Sequence, residues 1–287
     1  MTRGVLIFAH NNRDIDYAAT ALAAGGLAKK HLGVPVSLAT DSSTIDWMKT
    51  SKSYDQAVSV FDKIIEVDTP VTENRRRLHD GLQSKIIPFV NSNRASAWDV
   101  TPYERTLLID SDFLVLSNRL NEYWDVDADI LIGKSMQDIL ETSRAGYLDR
   151  YISDVAPTLY WATNVMFTKN ENSQLFFNLV NTIRINYSYY ADMYRFNPSQ
   201  YRNDISFSIA KHIMDGFNTD TSLSLPPIFT TLDKDILHKV DLDEKLTFLI
   251  NNDLNSNYCA TTIKGLDVHV MNKQSLIRNV DRLLELI

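Results

Sequence analysis

The chain has a single cysteine, Cys259, in 287 residues. No internal disulfide can form, and no Cys/His set has the spacing of a structural zinc site. Such a residue ordinarily fills a small space in the core. Glycine and proline number only 9 and 8, and they nowhere gather into a linker, so no clean domain boundary is visible. There is no internal repeat. Neither Gly-x-Gly-x-x-Gly nor a Walker sequence is present, which removes dinucleotide and P-loop readings. No apolar run approaches the roughly 18 residues of a membrane span; the longest, 106–116, is interrupted by Asp110 and Asp112. The first ten residues hold one Arg and a brief apolar run at 5–8, without a signal-peptide core or cleavage site, so the expected location is cytoplasmic. Basic residues are in deficit, with a net charge of -7, which argues against a surface built throughout to neutralise phosphates. A local basic groove is still open to Arg75, Arg76, Arg77 and Arg94, although a run of this size is more often a solvated loop.

What is present is the material of one large globular domain or two closely fused halves, with 44% hydrophobic residues. The first hundred residues alternate strand-like and helix-like segments, the pattern of a parallel sheet with crossover helices. Strands are expected at 4–9, 36–40 and 63–67, with helices at 14–31 and 45–50. Asp80 can cap a helix over 80–90 whose Leu82, Ile86 and Phe89 share a face, with Lys85 at its border and Pro88 against its later turns. Further strands are expected at 129–133, 163–168 and 266–271, and helices at 172–186, 203–214 and 276–286, the last capped by Ser275.

Asp-x-Asp alone means little here, because it also occurs at Asp14/Asp16, Asp125/Asp127, Asp127/Asp129, Asp233/Asp235 and Asp241/Asp243. Context distinguishes Asp110/Asp112, which interrupt a strand of buried type between Leu107-Leu108-Ile109 and Phe113-Leu114-Val115-Leu116. Ionised carboxylates in such a place cost several kcal/mol each unless a cation or donors compensate them. In an extended segment, side chains at i and i+2 share a face, so both can reach one cation. Hard oxygens suit Mn²⁺ or Mg²⁺, and a bound cation stabilises the charge that grows on a nucleoside diphosphate leaving group. The plain alternative is a pair of turn aspartates capping the next element.

In order and spacing, Gln83-Ser84-Lys85, Pro102-Tyr103-Glu104-Arg105, Leu107-Leu108-Ile109 and Asp110-Ser111-Asp112-Phe113-Leu114-Val115 resemble the GT-A glycosyltransferases related to glycogenin and the bacterial galactosyltransferases. The resemblance implies a GT-A (Rossmann-like) α/β fold, a mostly parallel sheet flanked by helices. Residues 1–125 would be the nucleotide-sugar-binding half and 126–287 the acceptor-binding half of the same domain. It extends to three further segments, each with a departure. Trp161-Ala162-Thr163-Asn164 keeps the family's Asn without its Ser-Gly, Asn203-Asp204-Ile205 keeps Asp without Gln, and Val268-His269-Val270-Met271-Asn272-Lys273 supplies a late His and Lys without the Gly-x-x-Lys-Pro-Trp ending.

His269 alternates with Val268 and Val270, so its imidazole faces away from them, as either a neutral metal ligand or a satisfied histidine at a strand end. The resemblance implies the ligand role, beside Asp110 and Asp112. It implies Lys85 on phosphates, where the alternative is a lysine reaching to water, and the loop carrying His10 and Asn11 on the base, at the carboxyl edge that ordinarily receives a nucleotide. Asp41 is assigned to base or ribose, with a turn cap as the alternative, and Ser111 to the donor. Asn164 and Asp204 would touch the sugars, with backbone satisfaction and a favourable helix-start charge as the alternatives. Tyr187, Tyr189, Tyr190, Tyr194 and Tyr201 can stack on an acceptor or pack a helical core.

The expected activity is transfer of a hexosyl or pentosyl group from a uridine diphosphate sugar to an acceptor, with Mn²⁺ or Mg²⁺ as cofactor and retention implied by the resemblance. The acceptor is a saccharide, a small molecule or, as for some phage enzymes, nucleic acid. Rival readings are a non-catalytic nucleotide-sugar-binding protein on a degenerate GT-A scaffold and a nucleotidyltransferase. The latter lacks its Gly-rich loop, since His10-Asn11-Asn12-Arg13 stands after the first strand.

Overall fold

The computed structural model describes residues 1–51, 53–68, 75–80, 83–88, 93–140, 151–218, 223–252 and 257–287. Strand β1 (Arg3–Phe8) leads into helix α1 (Tyr17–Leu32), β2 (Val36–Thr40), α2 (Ser42–Thr50), α3 (Ser53–Val60) and β3 (Lys63–Glu66). A hairpin, β4 (Arg75–Asp80) and β5 (Gln83–Pro88), is followed by a 3-10 turn at Asn93–Ser96 that runs into α4 (Ala97–Val100), then by β6 (Arg105–Ile109) and β7 (Phe113–Leu114). The second half contains β8 (Ile130–Gly133), β9 (Met136–Asp138), β10 (Trp161–Thr168), α5 (Glu171–Ile185), α6 (Tyr187–Tyr194), α7 (Asn203–Met214) and β11 (Ile228–Thr230). It ends with β12 (Ile236–Val240), β13 (Lys245–Asn252), β14 (Asn257–Lys264), β15 (Val268–His269), α8 (Lys273–Ile277) and α9 (Val280–Leu284).

The main sheet has the order β3-β2-β1-β6-β10-β8. Its first four strands are parallel, and β10 runs antiparallel to both β6 and β8. It is the α/β, mostly parallel sheet flanked by helices that the sequence implies, and the second half of the chain completes it with two strands. The continuous apolar runs of β1 and β6 are wholly buried, as strands covered on both faces must be. Ala-rich α1 is buried almost all round because it lies against β1 and β2 on one side and α3 and α9 on the other. Asp16 caps its start by accepting from Ala19 N–H at 3.0 Å, and Gly33 ends it in the left-handed conformation, φ 66°, where a side chain is strained. Gly4 is needed for space: a Cβ there would lie 2.4 Å from the Tyr103 ring, whose hydroxyl bonds Ser37 of β2 at 2.7 Å.

Two smaller sheets attach, β7-β15-β11-β9 and the meander β12-β13-β14. Among the described residues no helix is long and apolar enough to cross a membrane.

Several expectations are corrected. The described residues of 80–90 do not form a helix; 75–80 and 83–88 pair as antiparallel strands in which Arg77 pairs Ile86 and Leu78 pairs Lys85. Adjacent β-branched Ile86 and Ile87, followed by Pro88, favour the strand. Leu82 and Phe89 lie outside the described residues. Residues 106–116 are not one extended run, because the chain turns at Ser111–Asp112 and Phe113 N–H donates to the Asp110 carbonyl at 3.1 Å. The helix expected at 276–286 is two short ones, and Asn272 rather than Ser275 provides the cap, accepting from Ser275 N–H at 3.0 Å. Cys259 fills no core; it is exposed on β14.

Candidate metal and donor site

The carboxyl ends of β1, β2 and β6 form one edge, and the loops carrying His10, Asp41 and Asp110 leave from it. This is where an open parallel sheet receives ligands. Asp110 is the residue after β6. Its backbone N–H donates to Thr163 of β10 at 2.9 Å, and the turn that follows returns Asp112 to the same spot. The two carboxylates therefore meet through a turn rather than through strand alternation.

His269 arrives from the far end of the sequence. β15 pairs antiparallel with β7, setting His269 opposite Phe113, and Val270 N–H donates to the Asp112 carbonyl at 2.9 Å. His269 Nε2 consequently lies 3.2 Å from Asp112 Oδ1 and 4.0 Å from Asp110 Oδ2, while Nδ1 is 3.5 Å from Thr163 Oγ1. Ligand atoms of Asp110, Asp112 and His269 all fall within 4.8 Å of one another. Two carboxylate oxygens with one imidazole nitrogen form a donor set suited to Mn²⁺ or Mg²⁺, so the residues fit a divalent cation.

The outer oxygens are taken. Arg94 Nη1 donates to Asp110 Oδ1 at 2.8 Å, and Lys273 Nζ forms an ion pair with Asp112 Oδ2. Both cations are buried. Among the described residues, Arg94 Nε and Nη2 have no hydrogen-bond partner. Enclosure raises the Asp110 carboxyl pKa, opposed by Arg94 and reinforced by Asp112. Burial would raise Asp112 as well, but the Lys273 ammonium and then His269 outweigh it and hold that carboxyl well below the usual carboxylate range.

The other expected residues divide into groups. Ser111 is buried in the turn. Asn164 is buried on β10 opposite Ile109, and its Oδ1 has no partner among the described residues. Asp204, in the first turn of α7, accepts from Ala162 N–H at 2.8 Å and lies near enough to help raise Asp110. His10 has no exposed surface; its Nε2 is 3.2 Å from Asn93 Oδ1 and its Nδ1 3.5 Å from Asp41 Oδ2. Asp41 is the cap of α2, accepting from Thr44 N–H at 2.7 Å. Asn11 accepts from Ala18 N–H at 2.8 Å and donates to Asp16 at 3.1 Å. Lys85 is on β5, with a side chain 58% exposed and paired to Asp14.

The basic groove does not include Arg94, which is buried against Asp110; nothing is described of the Arg75, Arg76 and Arg77 side chains. Tyr187 and Tyr201 pack on one another at 4.9 Å, with Phe196 against Tyr187, while Tyr189 is exposed.

Sequence reasoning gave no role to Lys273 and placed Arg94 in a groove. The spacing of Lys273 from His269 was its only signal. Arg94 had none, because its contact depends on how the 3-10 turn, packed on α5, is placed beside the residue that follows β6.

No family model matches the sequence, and no curated protein matches it. Among solved structures the chain is similar to the galactosyltransferase LgtC in complex with donor and acceptor sugar analogues, at TM-score 0.44 and 14% identity over 72% of this chain and 70% of that one. It is similar to the glycosyltransferase GlyE of Streptococcus pneumoniae TIGR4, at TM-score 0.42 and 13% identity over 78% of this chain and 45% of that one. It is also similar to mouse xyloside xylosyltransferase 1, at TM-score 0.43 and 12% identity over 76% of this chain and 83% of that one.

Proposed function

We propose that this protein is a metal-dependent glycosyltransferase of GT-A type that moves a sugar from a uridine diphosphate sugar to a saccharide or small-molecule acceptor. The observation that carries the reading is the convergence of Asp110, Asp112 and His269 at the carboxyl edge of a parallel sheet. Asp110, Asp112 and His269 would hold Mn²⁺ or Mg²⁺. When bound, the cation supplies Lewis-acid stabilisation of the charge developing on the departing diphosphate.

Lys273 is the lysine at the carboxylates, so it takes the phosphate role in place of Lys85. Arg94 fixes the Asp110 carboxylate through its 2.8 Å contact. Asn164, with an unsatisfied buried acceptor, and Asp204 complete the sugar contacts. His10 and Asp41 form the enclosed floor beneath the base, and the base itself contacts the half-buried Asn11 and the Ser111 turn. Residues 1–125 provide the base-binding edge and the two metal carboxylates, while 126–287 complete the donor site with His269 and Lys273 and shape the acceptor site. Loss of Arg94 from the basic groove disfavours a nucleic-acid acceptor.

Calorimetry of uridine diphosphate binding with and without Mn²⁺, on the wild type, Asp112→Asn and His269→Gln, tests the site. Binding should require Mn²⁺ and weaken sharply in both variants. Binding unaffected by metal and by both substitutions refutes the reading. A screen of uridine diphosphate sugars for release of the diphosphate then identifies the donor.

A further inference from the structure

The two carboxylates are already matched by cations, and neighbouring Asp204 is itself paired with Arg202 at 3.5 Å. Asp110 and Asp112 contribute two negative charges, and Arg94 and Lys273, each in direct contact with one of them, contribute two positive charges. His269 adds donor capacity without charge in its neutral form. Both carboxylates are therefore compensated before any metal arrives. Lys273 is almost wholly enclosed, as is Asp112, so water screens their charges little. Solvent does not reduce the repulsion between that ammonium and an entering divalent ion as it would at a surface.

We infer that Lys273 is a built-in counter-charge that makes cation loading conditional on the diphosphate, so that metal and diphosphate enter this site as a linked pair. This rests on the proposed donor site and concerns its regulation. A diphosphate beside the cation brings the negative charge that the compensated centre lacks, and it gives the Lys273 ammonium a second anionic partner. By linkage, whatever factor the diphosphate contributes to metal affinity, the metal contributes equally to diphosphate affinity. The free protein is thereby kept from holding a divalent ion without a donor, while Asp112 stays in place beside Lys273.

The test is titration of Mn²⁺ followed by the loss of its free-ion electron paramagnetic resonance signal, with and without saturating uridine diphosphate, on folded full-length protein. In the wild type, Mn²⁺ alone should bind weakly, and the diphosphate should raise its affinity by at least about tenfold, inside the ~5- to 150-fold range typical of coupled sites. Lys273→Met should bind Mn²⁺ alone about tenfold more tightly than the wild type and show a smaller enhancement. Lys273→Arg, which keeps the charge, should behave as the wild type. If Mn²⁺ binds the wild type equally well with and without the diphosphate, the inference is overturned whether or not Lys273→Met folds. It is likewise overturned if folded Lys273→Met binds Mn²⁺ no better than the wild type, and in both cases the metal site itself stands. Absence of Mn²⁺ binding under every condition overturns the inference and the metal-dependent reading together.

Discussion

Asp112→Asn is predicted to destabilise the protein, although removing one carboxylate from a close acidic pair usually relieves repulsion. The structure decides the sign. Asp112 and Lys273 are both buried and in contact, so the substitution keeps the volume but leaves an ammonium enclosed without its counter-ion. Breaking a buried pair from one side costs ~3–5 kcal/mol. Relief of repulsion against Asp110 offsets part of this, because Asp112 contributes to raising Asp110, which leaves roughly 3 kcal/mol. At ~2 °C per kcal/mol, the low end appropriate to a large domain, the melting temperature falls by about 6 °C. The pair should also show itself in a double-mutant cycle. Asp112→Asn with Lys273→Met removes both charges and should recover most of the loss, giving a coupling of at least ~1 kcal/mol. Urea unfolding followed by circular dichroism, without metal or nucleotide, measures all four proteins. A single variant as stable as the wild type, or a double variant whose loss is the sum of the two single losses, refutes the argument.

Arg105→Met should cost ~3 kcal/mol, measured by the same unfolding curve, because buried Arg105 donates to the carbonyls of Ala128 at 2.8 Å, Tyr123 at 3.1 Å and Val126 at 3.0 Å. Uridine diphosphate binding by the folded fraction should be unchanged. Tyr103→Phe loses the bond to Ser37 and leaves a buried hydroxyl unpaired, for ~1 kcal/mol. Burial lowers the pKa of His10 and His212 from the ordinary 6.5, so below that pH the unfolded chain binds protons that the native state refuses. Stability should therefore level off above about pH 6.5 and fall below it, by up to ~1.4 kcal/mol per pH unit for each histidine. His212→Asn should flatten the slope, and denaturant midpoints between pH 5 and 8 check this.

Local pattern determined most of the main sheet and its helices. The apolar runs at β1, β2 and β6 and the periodicity of α1, α5 and α7 are properties of neighbouring residues, and α7 spans 203–214 as expected. The Asp110/Asp112 pair was legible for a related reason: two carboxylates inside an apolar run signal compensation wherever the chain goes. The pairing of 75–80 with 83–88 is hidden in the sequence because Leu82, Ile86 and Phe89 satisfy helical spacing by chance, while packing of Leu78 and Ile87 favours strand pairing. The meander β12-β13-β14 was missed because strands open to solvent on one face have a weak pattern.

What only the tertiary structure decided is the company each site residue keeps. The pairing of β15 with β7 brings His269 to Asp112 across 157 positions, and the 3-10 turn lays Arg94 on Asp110. Such contacts depend on strand register and packing, which couple residues far apart in sequence and leave no mark in local composition. The sequence by itself therefore determined that a pair of carboxylates needs positive charge, and the folded chain decided that two of its own cations provide it.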